Sequence, residues 1–282
     1  MVIDMHVHPI FYDIICGDKN GLAFRQKEFG VWKQSPMSFD EFFAEMDAGG
    51  IDRAALLPLD LTATAGGWIV TNEEIAEIVS AHPERFIGFA SVDPNRGDAV
   101  EVLDYAFGKL KLEGLKLNPA KQKFYPSDSI MEPIYKKCIE YNKPVIFHAG
   151  LSWEPDTPVK YCNPTLFEET AMKHPDLRIC LAHFAWPWVR EMAMLMIKYP
   201  NIYTDTSLLY LDSPEESMQR LFTVDMGPRW FERSFYKQVM FASNGPRFRA
   251  FKLKRALDKV PMRDYARTAL YAENAERFLK GE

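Results

Sequence analysis

VIDMHVH (2–8) sets an acid and two histidines, His6 and His8, among apolar residues. Positions i and i+2 of an extended strand face the same side, so a strand here turns both imidazoles in one direction. It is the first of eight short apolar runs. The others are RAALLPL (53–59), FIGFASV (86–92), GLKLNP (114–119), PVIFHAG (144–150), RICLAHF (178–184), IYTDTSL (202–208) and VMFASNG (239–245). Near-continuous hydrophobic stretches of this length are expected of parallel strands covered by helices.

Helical segments separate the runs, and their starts carry capping signals. Ser38–Glu41, Thr71–Glu74, Ser129–Glu132 and Ser213–Glu216 fit the S/T-x-x-E box, whose side chains satisfy orphan backbone N–H groups. Asn163-Pro164 adds a cap followed by proline at the first helical position. AHPERF (81–86), KHPDLR (173–178) and KYPNIY (198–203) each place a proline where a helix stops and a strand begins. Strand and helix alternating eight times, with no Gly/Ser/Pro-rich linker, give α/β architecture: one (β/α)8 TIM barrel spanning 1–282 as a single domain. A doubly wound open sheet is the alternative. The absence of G-x-G-x-x-G after the first strand, and polar residues at the ends of many strands, weigh against it.

The bulk properties exclude other classes. A net charge of -5 and no Lys/Arg block argue against a nucleic-acid partner. No apolar stretch reaches the ~18 residues of a membrane span, and no signal segment precedes the first strand, so a cytoplasmic protein is expected. Cys16, Cys138, Cys162 and Cys180 show no C-x-x-C pairing and read as reduced thiols.

Four of the six histidines stand at or near the C-terminal ends of expected strands: His6, His8, His148 and His183. A barrel gathers those ends around one mouth, and four convergent imidazoles suit a borderline divalent ion such as zinc. One histidine on an apolar strand is more often a hydrogen-bonded core residue; four at strand ends are not. His82 and His174 fall in the helix-to-strand turns of the opposite face, where no function is expected.

D-x-H-x-H on the first strand, GLKLNPAKQKFYPSD (114–128), PVIFHAG, LAHFAWPW (181–188), IYTDTS, FASNGPRF (241–248) and AENAERFL (272–279) together resemble the amidohydrolase-related family. Within it they are similar to the branch of aminocarboxymuconate semialdehyde decarboxylase and the aromatic-acid decarboxylases. The resemblance spans nearly the whole chain. It implies a TIM barrel with a metal, zinc or manganese, held by His6, His8 and His148. His183 is implied as a further ligand or as acid/base. It also implies hydrolysis or decarboxylation of a small carboxylate or cyclic substrate, and a homodimer. The family's strand-eight aspartate is replaced by Asn244, which occupies its metal-ligand and catalytic position but has no proton to exchange. A catalytically retired barrel that binds a ligand or metal is therefore the alternative function, and a metal-free lactonase is a third. Asp205 is the nearest candidate to stand in as base, with a structural role as its competing reading.

Lys116 sits where two-metal relatives carry a bridging carboxylated lysine; a substrate-facing or packing role is the expectation here. Residues 9–37 read as a long aromatic-rich loop over the active-site face, with Phe11, Tyr12, Phe24, Phe29 and Trp32. Arg247 and Arg249 are candidates to fork onto a substrate carboxylate. Trp186 and Trp188 are candidates to line the pocket.

Overall fold

Each apolar run forms a strand in the computed structural model, which describes residues 1–31, 35–207, 213–227 and 229–281. Trp32 and Leu208, named above, lie outside the described residues. The barrel strands are β1 (Ile3–Val7), β2 (Arg53–Leu56), β3 (Phe86–Gly88, resumed at Ala90–Ser91), β4 (Leu115–Leu117), β5 (Val145–Phe147), β6 (Ile179–Leu181), β7 (Ile202–Asp205) and β8 (Val239–Met240). They are shorter than the runs that predict them, because each run continues past the ladder into the loop that builds the mouth.

All neighbouring pairs are parallel. β1 pairs with β2, and β2 with the first half of β3, whose second half turns to β4; the ladder then runs through β5, β6 and β7 to β8. Backbone bonds close the ring: Met5 N–H donates to Phe241 O (3.0 Å), Asn244 N–H to His6 O (2.9 Å) and His8 N–H to Gly245 O (2.7 Å). The expected barrel is the observed fold.

The outer layer contains α1 (Lys19–Phe29), α2 (Phe39–Gly49), α3 (Asn72–Ala81), α4 (Ala99–Gly108), short α5 (Pro119–Gln122), α6 (Met131–Glu140), α7 (Glu168–Lys173), α8 (Val189–Lys198), α9 (Pro214–Arg220), α10 (Ala250–Asp258), α11 (Asp264–Thr268) and α12 (Asn274–Lys280). Capping boxes form at Ser38–Glu41 and Thr71–Glu74. Ser213 accepts from Glu216 N–H at α9, and Asn163 caps the turn that leads into α7. The Ser129–Glu132 box does not form. Asp128 ends a turn there, its backbone carbonyl accepts Met131 N–H, and α6 starts one residue late, without a side-chain cap.

Two shells of core follow. Ile3, Met5, Ala55, Ile146, Cys180 and Met240 are among the residues filling the barrel interior, and Phe278 of α12 packs on Tyr203 in that cluster, ring centroids 5.1 Å apart. A larger cluster lies between strands and helices. Among the described residues no helix is long and apolar enough to cross a membrane.

Residues 9–37 correct the expectation of a plain loop. They contain a 3-10 turn at Asp13–Ile15 and the eleven-residue α1. The Asp18 side chain accepts from Asn20 and Gly21 N–H, and Gly30, at φ 66°, ends the helix in a left-handed cap. Gly21 inside the first turns and a mostly polar sequence hide this helix from a periodicity search.

Candidate active site

β1 carries the first surprise of the mouth. With Ile3 and Met5 facing the barrel interior, strict alternation would turn His6 and His8 outward. A bulge prevents this: Asp4 pairs with Ala54 and Val7 with Leu56, so three steps on β1 oppose two on β2. The parity flips, and both imidazoles enter the mouth while Asp4 and Val7 face the helices.

His183 needs a different device. It lies beyond β6 in a turn in which His183, Phe184 and Ala185 all take left-handed φ, at 63°, 49° and 48°. The turn rests on Gly150, just past β5 at φ 81°. A Cβ there would lie 2.6 Å from the Ala185 carbonyl carbon and collide with the Trp186 carbonyl oxygen. Gly150→Ala should therefore cost more than about 2 kcal/mol, since strain and a backbone clash add. Thermal unfolding checks the loss, and metal content should fall with it.

Around these turns the hydrogen bonds fix the tautomers of His6, His8 and His183. His8 Nδ1 donates to Leu57 O (3.0 Å), and His183 Nδ1 to Ser207 O (2.5 Å). His6 Nδ1 donates to Asp205 Oδ2 (2.9 Å), and His148 Nε2 stands 3.0 Å from Ser152 Oγ. The lone pairs this leaves on His6 Nε2 and His8 Nε2 face one another at 3.2 Å, and that on His183 Nε2 faces His148 Nδ1 at 3.1 Å. Two such lone pairs repel unless a proton or cation lies between them. Nitrogens ~2.0–2.1 Å from one tetrahedral zinc stand about 3.3–3.4 Å apart, so both pairs fit cation ligation.

By ring centroids the four imidazoles form one chain, His8 to His6 (5.1 Å), His6 to His183 (4.9 Å) and His183 to His148 (4.9 Å). The set whose potential ligand atoms all lie within 4.8 Å is His6, His183 and Asp205. Its carboxylate, however, is already spent. Asp205 accepts from His6, from His183 N–H (2.9 Å), from Ser207 N–H (3.1 Å) and from the Ser207 hydroxyl. Burial opposes its charge, but His6, His183 and Ser207 more than offset that and hold the carboxyl below the usual range. These bonds hold His6 and the His183 turn in place around the Asp205 carboxylate.

Burial also keeps the imidazoles neutral. It lowers His6 to about 4 and His183 to about 3, and pushes His8 and His148 well below their ordinary value. Unfolded imidazoles protonate near pH 6.5, so metal-free protein should have this stability above that pH. It should lose it as pH falls from 6.5 toward 4, by ~1.4 kcal/mol per pH unit for each group. Thermal melts of chelated protein between pH 7 and 4.5 check the slope; a flat profile would contradict neutral burial.

The mouth itself is a cavity of about 50 Å³. Lys116, Lys121, Arg247, Glu154, Phe29 and Asn244 are among the residues that line it with the histidines. Lys116 Nζ lies 3.5 Å from His6 Nε2, and burial lowers its ammonium to about 8. Arg247 Nη2 donates to Phe29 O (2.6 Å) and pairs with Glu154 (3.2 Å), while Lys121 Nζ donates to Glu28 O (2.5 Å). The end of α1 is thereby latched over the site, with the Phe29 ring 4.8 Å from that of His8. Asn244 is left-handed at φ 63°, and no hydrogen bond to its side-chain amide is found among the described residues.

Trp186 and Trp188 do not line this cavity; Trp186 packs on the core and its carbonyl accepts Leu151 N–H at 2.8 Å. The exposed Trp153 lines it instead. Arg249 also stands apart, ion-paired with Glu45. Sequence reasoning missed Asp4, whose Oδ1 accepts from His6 N–H (3.1 Å) and Ser243 N–H (2.9 Å) and so ties β1 to the chain after β8. Its place in D-x-H-x-H was the available signal. Ser152, Ser207 and Lys121 carried none.

The sequence profile of the family described as amidohydrolase matches residues 3–281. The chain belongs to the amidohydrolase family. An uncharacterised TIM-barrel protein of Bordetella bronchiseptica superposes with TM-score 0.75 at 20% identity, covering 100% of this chain and 99% of that one. A 5-carboxyvanillate decarboxylase of Novosphingobium aromaticivorans gives TM-score 0.63 at 19% identity, covering 99% of this chain and 97% of that one. That structure is an aspartate-to-asparagine variant holding manganese and 3-methoxy-4-hydroxy-5-nitrobenzoic acid. Protein fluG of Emericella nidulans is 32% identical over 69 residues, which is 24% of this amidohydrolase-family chain and 8% of fluG. The chain thus matches only a small fraction of that relative's length.

Proposed function

We propose that this amidohydrolase-family protein is a metal-dependent lyase that decarboxylates a small aromatic or unsaturated acid. The observation that carries the reading is the charge at the mouth. Lys116, Lys121 and Arg247 are cationic, Glu154 is already paired with Arg247, and position 244 supplies an amide where hydrolysis would need a base. Such a site receives a carboxylate readily and activates water poorly. The decarboxylase among its structural neighbours supports the same choice.

His6 and His8 would hold the ion, zinc or manganese, with a further ligand from the His148–His183 pair. Bound there, the metal supplies a Lewis acid that stabilises developing negative charge. Arg247 and Lys121 orient the acid once they exchange the α1 carbonyls for it. The Phe29 ring excludes water. The bond from carbon to carboxylate breaks, CO₂ leaves, and a proton replaces it on carbon; Lys116 Nζ is placed to hold that proton. A cavity of about 50 Å³ is smaller than the roughly 150 Å³ void that admits benzene, so the end of α1 must shift to admit an aromatic acid.

The test is a panel of aromatic and unsaturated acids, lactones and simple amides, with zinc and manganese supplied in turn. CO₂ release from at least one acid is expected. Faster turnover of a lactone or amide than of any acid would reject the reading in favour of hydrolysis.

A further inference from the structure

α5 is one turn long, Pro119–Gln122, yet it carries Lys121 into the mouth. A helix that short is not stable by itself, so contacts outside it must set where Lys121 stands. The Gln122 side chain supplies them. It is fully buried, and among the described residues it is not one that lines the mouth. Nε2 donates to Asp60 O (2.8 Å), in the chain after β2, and to Val92 O (2.9 Å), just past β3. Oε1 accepts from Asn118 N–H (2.8 Å), just past β4. One amide therefore joins the exits of three neighbouring strands. Two donors meet two carbonyls and one acceptor meets an N–H, a pattern that neither an ionised glutamate nor a methionine reproduces.

The same amide is the middle link of a longer chain. Asp60 N–H donates to Ser91 Oγ (3.0 Å), and the Ser91 hydroxyl donates to Lys116 O (2.8 Å). On the other side the Asn118 side chain accepts from Lys121 N–H (3.1 Å). Lys116 and Lys121, both at the mouth, are thus connected through Ser91, Asp60, Gln122 and Asn118 by side-chain bonds rather than by the barrel ladder. Such a chain is stiff, because breaking any link leaves a buried polar group unpaired.

On the proposed reading, in which Lys121 orients the acid and Lys116 holds the proton, we infer that Gln122 is the positioning residue that sets these two lysines against each other. With Gln122 in place, the carboxylate is held at a fixed separation from the proton it must meet. Without it α5 loses its anchor, while the imidazoles keep their own partners at Leu57, Asp205 and Ser207.

The test uses zinc-loaded protein, titrated with benzoate by calorimetry, with lysine acetylation mapped by mass spectrometry. Gln122→Met should weaken benzoate about fivefold or more, the worth of at least one net hydrogen bond. Zinc content should not change. In a Lys121→Met background the same change should have little further effect, because a residue that acts through Lys121 has nothing left to position. Lys121, whose side chain is 7% exposed, should be acetylated faster in Gln122→Met, with the 70% exposed Lys136 as an unchanged reference. Gln122→Glu, which keeps the bond from Asn118 N–H and loses the two donated bonds, should give an intermediate result and replaces the methionine variant if that one fails to fold. An equal loss of affinity in both backgrounds, or a loss of zinc with it, overturns the proposal. So does unchanged benzoate affinity with unchanged acetylation of Lys121. If the wild type binds no benzoate, the proposed function fails by itself, and acetylation of Lys121 still decides whether Gln122 places that lysine.

Discussion

His8→Ala and His148→Ala, one from each imidazole pair, should each strip the metal and lower turnover by about 10³-fold or more, the several kcal/mol that a bound Lewis acid supplies. The reasoning is geometric. His6 Nε2 and His8 Nε2 stand 3.2 Å apart with both lone pairs turned inward, and removing either leaves a single nitrogen in place of a chelating pair. Elemental analysis of protein purified without added metal reads the result directly. Retention of the ion in His148→Ala, with loss only in His8→Ala, would assign it to the β1 pair and restrict His148 to acid–base work. Full metal content in both variants would remove the histidines from the metal site altogether. Since both side chains are buried, melting curves of the chelated variants separate loss of fold from loss of ligand.

Asn244→Asp should have the second large effect, raising hydrolysis of a lactone or ester by about 10²–10⁴-fold, the usual contribution of a general base. It should tighten metal binding as well, because a charged ligand replaces a neutral one beside a cation. The folding cost should be small. Asparagine and aspartate both tolerate the left-handed φ of 63° observed here, and the backbone bond from Asn244 N–H to His6 O is unchanged by the swap. If decarboxylation of the best acid is brisk in the wild type and no faster in the variant, Asn244 is a working residue. Should neither form act on any acid, lactone or amide, the retired, ligand-binding barrel becomes the better description.

The barrel was legible because its signals are local and repeated. Continuous apolar runs require cover on both faces, the caps at Ser38, Thr71 and Asn163 mark helix starts, and prolines mark exits. The histidines at strand ends were legible for the same reason, since strand position is a property of the run that contains them. Lys116 and Asn244 were singled out through the family resemblance and Arg247 by its place just past Asn244, and all three line the mouth. Trp186 and Trp188 were candidates to line the pocket, and neither lines the cavity. α1 was missed because its stability comes from a cap at each end and from latching by Arg247 and Lys121, not from an apolar stripe.

The sequence by itself therefore determined which strands end in histidines and that they share one mouth. Only the tertiary structure decided where the rings point. A one-residue bulge in β1 reverses the side-chain parity, and a run of left-handed residues held against Gly150 swings His183 into the site. Neither has a periodic signature, because each depends on pairing across strands distant in the chain. The tautomers that leave the lone pairs facing inward depend on the same long-range contacts. Leu57, Asp205 and Ser207 reach His8, His6 and His183 only when the barrel closes, so the chemistry of the imidazoles is a property of the ring rather than of any strand.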